Sequence, residues 1–133
     1  MAHQLTIVSP SGKSRADDLV REGVELHVIP KPHEAMAKYQ FAIYLEPNNS
    51  AALQNIAILL SQQNAHNAAL LTIERCALFH PENDIVYRNW ATMALDAERP
   101  DIAYLAAKKA AFKLARQEAK QQQLVLKSPL QDD

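Results

Sequence analysis

Hydrophobic residues recur through the middle of this chain at the three- and four-residue spacing that is typical of an amphipathic α-helix. Two such stripes follow one another: Leu53, Ile56, Ala57 and Leu60, then Ala69, Ile73 and Cys76. Proline and amide residues, which end and cap helices, separate the stripes. The pattern predicts an all-α chain with helices near 17–29, 33–45, 50–62, 67–79, 84–96 and from 100 to about 127.

The sequence repeats itself with a period of 34 residues. Pro47 and Pro81 lie 34 positions apart in the similar phrases FAIYLEPNNS and CALFHPENDI. The same shift aligns one column of large residues and three columns of small ones: Leu19, Leu53 and Tyr87; Gly23, Ala57 and Ala91; Ala35, Ala69 and Ala103; Ala42, Cys76 and Ala110. The period therefore divides residues 16–49, 50–83 and 84–117 into three helical hairpins, which must stack to bury both of their apolar sides.

These blocks resemble the tetratricopeptide repeat (TPR) family, in which 34-residue helix–turn–helix units stack into a solenoid. The first block carries the family's pattern in full: Leu19, Gly23, Ala35, Tyr39, Ala42 and Pro47. The third block departs most, with Ala107 and Ala115 in place of the aromatic residue and the proline. The resemblance implies six repeat helices. Because Ala115 replaces the helix-breaking proline, we expect the last helix to continue as a cap. Residues 1–15 are expected to be a loose N-terminal tail, and residues 118–133 a helical extension followed by a short disordered tail.

Composition and charge narrow the class of protein. The 133 residues, 48% of them hydrophobic, suit one domain with a core of its own. The net charge of −1 argues against general affinity for nucleic acids. The single Cys76 excludes an intrachain disulfide. Because the chain starts without a secretory signal pattern and has no apolar run of roughly 20 residues, we expect a cytoplasmic protein outside the membrane.

The TPR resemblance places the first helix of each hairpin on a concave surface. The expected peptide-binding residues of that surface are Val20, Arg21, Val24, Gln54, Asn55, Ile58, Arg88, Asn89 and Thr92. Asn55 and Asn89 are one period apart and should form a short ladder of amides. Because an amide both donates and accepts hydrogen bonds, this ladder suits the backbone of an extended peptide. The alternative is that each asparagine bonds only to a neighbouring helix.

The family also offers two narrower functions. Some TPR proteins hold the C-terminal carboxylate of heat-shock chaperones with a clamp of lysine and asparagine residues. Only Asn55 fits that clamp here, which argues against such a role. Size and repeat number also resemble the cytoplasmic chaperones of bacterial type III secretion, although those usually carry a longer N-terminal helix than residues 1–15 can supply.

The last helix carries a separate signal. Residues 1–107 contain 8 basic and 12 acidic side chains, whereas residues 108–127 contain six basic and one acidic. A cationic stripe at helical spacing and an uncovered apolar triplet form the expected partner surface: Lys109, Lys113, Arg116 and Lys120, then Leu124, Val125 and Leu126. The stripe is either a solvated face or a docking surface for an acidic partner or a second copy of this chain. The scarcity of aromatic residues nearby argues against RNA.

Catalytic and metal-binding patterns lack the residues that their chemistry needs. The segment Ser11–Ser14, after the strand-like Leu5–Val8, resembles the end of a phosphate-binding loop, but the loop's first glycine would fall at Ile7. The five histidines lack i, i+4 spacing and make no metal set with one cysteine. Cys76 occupies a small packing position without a neighbouring base. We therefore expect no enzymatic activity, no cofactor and no metal.

The leading hypothesis is a non-enzymatic module that binds a peptide segment of another protein in the concave groove, as an adaptor or assembly chaperone. One alternative is a structural subunit that self-associates through its basic C-terminal helix. The other is a cytoplasmic chaperone like those of type III secretion.

Overall fold

The computed structural model describes residues 5–126, and all regular secondary structure within them is helical. The six helices are α1 Arg15–Val28, α2 Pro32–Leu45, α3 Ser50–Gln62, α4 His66–Phe79, α5 Asp84–Asp96 and α6 Pro100–Leu126. The all-α prediction is confirmed, and each predicted helix is present at its expected place. The short tail expected at residues 128–133 lies outside the described residues.

Side-chain caps fix where the helices begin. Helix α1 begins at Arg15, two positions before the predicted residue 17, because the Ser14 hydroxyl caps it by accepting a hydrogen bond from the Asp17 backbone N–H at 3.0 Å. The Asp17 carboxylate in turn accepts from the Ser14 backbone N–H at 3.3 Å, which completes a capping box. Asn49 and Asn83 cap α3 and α5 through their side-chain oxygens.

Consecutive helices pack as three hairpins, α1/α2, α3/α4 and α5/α6, and neighbouring hairpins contact through α2/α3 and α4/α5. The odd-numbered helices also contact one another, α1 with α3 and α3 with α5. Gly23 shows what the small residues permit. A Cβ at this position would lie 2.5 Å from Cε1 of Tyr39, so the tyrosine ring packs directly against the backbone of α1.

The turns inside the hairpins share one hydrogen bond. The N–H of Ala65 reaches the carbonyl of Leu60, and the N–H of Arg99 reaches the carbonyl of Ala94, each at 2.8 Å. The residues before these donors, Asn64 and Glu98, have φ values of 64° and 58°. This left-handed residue at the helix end is the usual way to satisfy the last carbonyls.

Two clusters of buried side chains run through the stack. The first core lies among α1, α2 and α3 around Val20, Tyr39 and Leu59. The second core lies among α3, α4, α5 and α6 around Ile73 and Met93. Ile43 of α2 packs against both cores, so they are contiguous. The hairpins therefore bury their apolar sides against one another, as the repeat pattern requires.

Helix α6 is supported only along its first half. It buries Ala103 and Ala106, and Ala110 packs against the second core. Beyond Ala110 its residues are exposed, apart from Lys113, which is half-buried. The apolar triplet Leu124–Leu126 is also exposed in the described structure. The far half of α6 therefore projects beyond the hairpins.

Candidate peptide-binding site

The two asparagines of the expected ladder lie on α3 and α5 and are completely or almost completely buried. The cover is the chain's own N-terminal segment, which we define as residues 5–13. It has no regular secondary structure and crosses from Asn89 on α5, past Asn55 on α3, to α1. We refer to the surface beneath it as the α1/α3/α5 face.

Each asparagine holds one residue of the segment through both backbone groups. Oδ1 of Asn55 accepts from the N–H of Val8 at 2.8 Å, and its Nδ2 donates to the carbonyl of Val8 at 2.7 Å. Asn89 makes the equivalent pair of bonds with Thr6, both at 3.2 Å. The donor and acceptor of an extended residue point the same way, and those of the next residue point the opposite way. Residues at i and i+2 therefore suit the two amides.

A buried glutamine orients one of the two amides. Oε1 of Gln54 lies 3.4 Å from Nδ2 of Asn89, and Nε2 of Gln54 donates to Oγ of Ser50 at 3.2 Å. Because both polar ends of Gln54 are occupied, the glutamine fixes Asn89 from beneath. The ladder is thus part of a connected polar network inside the stack.

Apolar side chains of the segment pack beside these bonds. Leu5 and Ile7 lie against the second core, and Val8 lies against the first core. All three are only partly buried, and Thr6 and Ser9 are exposed. The four amide hydrogen bonds contribute roughly 2–6 kcal/mol net, at about 0.5–1.5 kcal/mol each. The segment is therefore held mainly through its backbone, with modest help from its side chains.

The segment leaves the face beside Arg21 of α1. Its guanidinium donates to the carbonyl of Pro10 at 3.1 Å, to the carbonyl of Gly12, and to Oδ1 of Asp18 at 3.0 Å. At Gly12 a Cβ would collide with the Asp17 carboxylate, so a larger residue there would require this carboxylate to shift. A hydrogen bond from Asn49, assisted by Ser14, lowers the pKa of Asp17. The charged form of the capping carboxylate is thereby favoured.

The nine residues expected to bind peptide are not equivalent. Asn55, Asn89 and Arg21 form hydrogen bonds with the N-terminal segment. Val20 and Ile58 are buried in the first and second cores respectively, and Val24 packs beside the first core. Gln54 accepts a hydrogen bond from Nδ2 of Asn89 and so orients it. Arg88 is exposed, and the Thr92 hydroxyl donates to the Arg88 carbonyl at 2.9 Å, so neither forms a hydrogen bond with the segment.

Two expectations need correction. Residues 5–13 are not a loose tail, because backbone hydrogen bonds and apolar packing attach them to all three hairpins. The two amides also do not stand open for a partner, since the same segment covers them. The sequence did contain a signal for this, because Leu5–Val8 has the strand-like pattern of an extended segment. The same pattern is compatible with a strand before a phosphate-binding loop, so it does not by itself show what the segment contacts.

A second candidate surface lies on α6. A groove of about 770 Å³ is lined by apolar side chains that include Tyr87, Leu105 and Phe112, and its rim carries the cations Lys108, Lys109, Arg116 and Lys120. Lys113 also lines it, but its ammonium pairs with Asp84 at 2.7 Å and with the Glu82 carbonyl. The predicted cationic stripe therefore has one member engaged within the chain.

The remaining reactive side chain is enclosed. Cys76 is buried in the second core, and burial raises the pKa of its thiol to about 11. Its sulfur lies 3.7 Å from both the hydroxyl and the carbonyl oxygen of Ser50. Among residues 5–126 no three histidine, cysteine or carboxylate side chains are grouped so that they could hold a metal ion.

Comparisons with known proteins add no family name: no protein-family model matches the sequence, and no curated protein matches it. Within residues 5–126 no helix combines the length and the apolar character needed to cross a membrane.

Proposed function

We propose that this chain is a non-enzymatic protein–protein interaction module of the TPR kind, which holds an extended segment of another protein on its α1/α3/α5 face. The observation that carries the proposal is the pair of two-point contacts between Asn55 and Val8 and between Asn89 and Thr6. An adaptor and an assembly chaperone, including one like those of type III secretion, are both compatible with this role.

The contacts suit a ligand that is recognised by its backbone. An asparagine amide that bonds to both the N–H and the carbonyl of one residue resembles the pairing between two strands, and this pairing tolerates many side chains. The amides are fixed before binding, because they project from packed helices and Gln54 orients one of them. Such preorganisation reduces the entropic cost of binding.

The test uses a chain whose own segment is weakened. Val8→Pro removes the N–H that donates a hydrogen bond to Oδ1 of Asn55, which weakens attachment of the segment. The α1/α3/α5 face should then be open to a fluorescein-labelled peptide HQLTIVS, which copies residues 3–9. We expect saturable binding by fluorescence anisotropy. Adding Asn55→Ala should weaken it roughly tenfold to a hundredfold, because two hydrogen bonds are lost.

The matched control is Asn67→Ala, which removes an exposed asparagine of α4 and should leave affinity unchanged. Circular dichroism verifies that each variant is folded, and Thr6→Pro replaces Val8→Pro if the latter is not. If the folded, opened chain does not bind the peptide, or if Asn55→Ala leaves affinity unchanged, the proposed function is wrong.

A second candidate function is self-association through α6. It is favoured by the exposed apolar triplet Leu124–Leu126 and by the rim cations Lys109, Arg116 and Lys120, which form no ion pair with an acidic group of residues 5–126. Because residues 1–107 are net acidic, the basic half of α6 would complement the body of a second copy. Light scattering at tens of micromolar should then give a dimer mass that falls with added salt, and a monomer at low salt contradicts it.

A further inference from the structure

We propose that the N-terminal segment is a built-in competitor: another protein's extended segment of the same chemistry binds the α1/α3/α5 face only by displacing residues 5–13. This inference rests on the proposed function and adds two things to it, the class of segment that fits and the intramolecular step that controls binding.

The bound segment defines the class of ligand. Backbone N–H groups are needed at the places of Thr6 and Val8, so a proline at either place is excluded. Apolar side chains are needed at the places of Leu5 and Ile7, which lie against the second core. The side chain at the place of Thr6 is exposed and therefore unrestricted. The ligand is an extended stretch of the form apolar–any–apolar–apolar without proline at its second or fourth position.

The segment can leave without damage to the fold beneath it. Its apolar residues are only partly buried, so part of their surface is already exposed to water before release. Asn55 and Asn89 gain access to water, which replaces the backbone groups that they lose. Gln54 continues to orient Asn89.

Helix α1 also keeps its N-terminal cap when the segment leaves. The capping box joins Ser14 to Asp17, and neither residue belongs to the segment. The point of release is therefore Gly12–Lys13, immediately before the cap. Because the cap of α1 uses no group of the segment, release of the segment leaves this cap in place.

The N-terminal segment is joined to the face that it covers by a short tether. A segment joined by a few residues to its own site acts at an effective concentration in the millimolar range. A partner present at micromolar concentration must overcome this advantage, so affinity measured on the intact chain should be lower than the intrinsic affinity of the face. Any change that loosens the segment should raise the apparent affinity.

Two variants loosen the segment by different means. Val8→Pro removes a bond to Asn55, and Arg21→Ala removes the contacts with the carbonyls of Pro10 and Gly12. The peptide HQLTIVS ends before the place of Pro10, so Arg21→Ala alters the competitor without altering the contacts with the ligand. Ser9→Pro is the matched proline control, because Ser9 is exposed and its N–H bonds to neither asparagine.

We expect the wild-type chain to bind labelled HQLTIVS at least tenfold more weakly than the Val8→Pro chain, with Arg21→Ala intermediate and Ser9→Pro like the wild type. Hydrogen exchange followed by mass spectrometry gives a direct view of release. Saturating unlabelled peptide should accelerate exchange of the amides of Thr6 and Val8 in the wild-type chain.

The outcomes separate the two proposals. If wild type and both loosened variants bind the peptide with equal affinity through Asn55, and exchange at Thr6 and Val8 does not change, competition is refuted and the proposed function stands. If no variant binds the peptide, the proposed function fails and this inference fails with it. Graded affinity together with faster exchange supports both.

Discussion

Single residues explain how the hairpins turn. Asn64 and Glu98 lie one period apart and both adopt positive φ, a conformation in which Cβ approaches the following carbonyl. Asparagine tolerates this region better than most residues, and glutamate does not. In the first hairpin the corresponding residue is Pro30, whose ring forbids positive φ. The three turns therefore have the same length, three residues, but differ in the backbone strain at this position.

Replacing Glu98 with glycine should stabilise the protein. Glycine adopts positive φ without a Cβ penalty, and we expect a gain of about 1 kcal/mol in the free energy of unfolding, measured by urea denaturation. Asn64→Gly is the matched control and should gain less, because asparagine is already tolerant. A gain at Asn64 that equals or exceeds the gain at Glu98 would contradict this account of the turns.

Single residues also explain why the covered state of Asn55 and Asn89 was not predicted from the sequence. The 34-residue spacing of Asn55 and Asn89 predicts that they lie on equivalent helices and on one face, because positions one period apart are equivalent in stacked repeats. It did not give the occupant of that face, since an amide bonds equally well to a partner's backbone and to the chain's own. Pairing over 83 residues of sequence, as between Thr6 and Asn89, leaves no local pattern to detect.

Among the helices, α6 differs from the others in its support. The boundaries of all six helices followed from proline, cap residues and apolar spacing, because these act locally. What covers the far half of α6 is not a local property, and within residues 5–126 nothing covers it. Most helical stability in proteins comes from tertiary packing, and residues 111–126 of α6 have little of it.

The far half of α6 should therefore tolerate a break that the near half does not. Gln121→Pro interrupts an exposed stretch and should change the melting temperature by less than 2 °C, since few packed residues depend on it. Ala106→Pro interrupts the buried stretch and should lower the free energy of unfolding by about 3 kcal/mol or more. Thermal melts of the two variants make the comparison, and equal losses would show that α6 is packed along its whole length.

At the scale of the molecule, burial of three titratable groups couples stability to alkaline pH. Burial raises the pKa values of the Tyr39 and Tyr87 hydroxyls and raises that of Cys76 from 9.0 to about 11. A raised pKa in the folded state means that stability is complete below the unfolded pKa and is lost as pH rises towards the folded pKa. The protein should therefore lose stability above about pH 9.

Cys76→Ala isolates one part of this dependence. Between pH 9 and 11 the thiol should account for a loss of about 2–3 kcal/mol, at about 1.4 kcal/mol for each unit of pKa difference. Urea unfolding of the wild type should therefore weaken more steeply over this range than unfolding of Cys76→Ala. Parallel pH profiles for the two proteins would show that the thiol is accessible to water in the folded state.

The path of the N-terminal segment has a consequence for synthesis of the protein. Residues 5–13 leave the ribosome before the helices that hold them, and Asn89 follows Thr6 by 83 residues. At roughly 5–20 residues per second the apolar segment waits about 4–17 s before its last contact exists. During that interval the hairpins already made are not covered completely, and the N-terminal segment is not yet fully attached. On the proposed function, newly made chains are therefore the population in which another protein's segment has the least competition from residues 5–13.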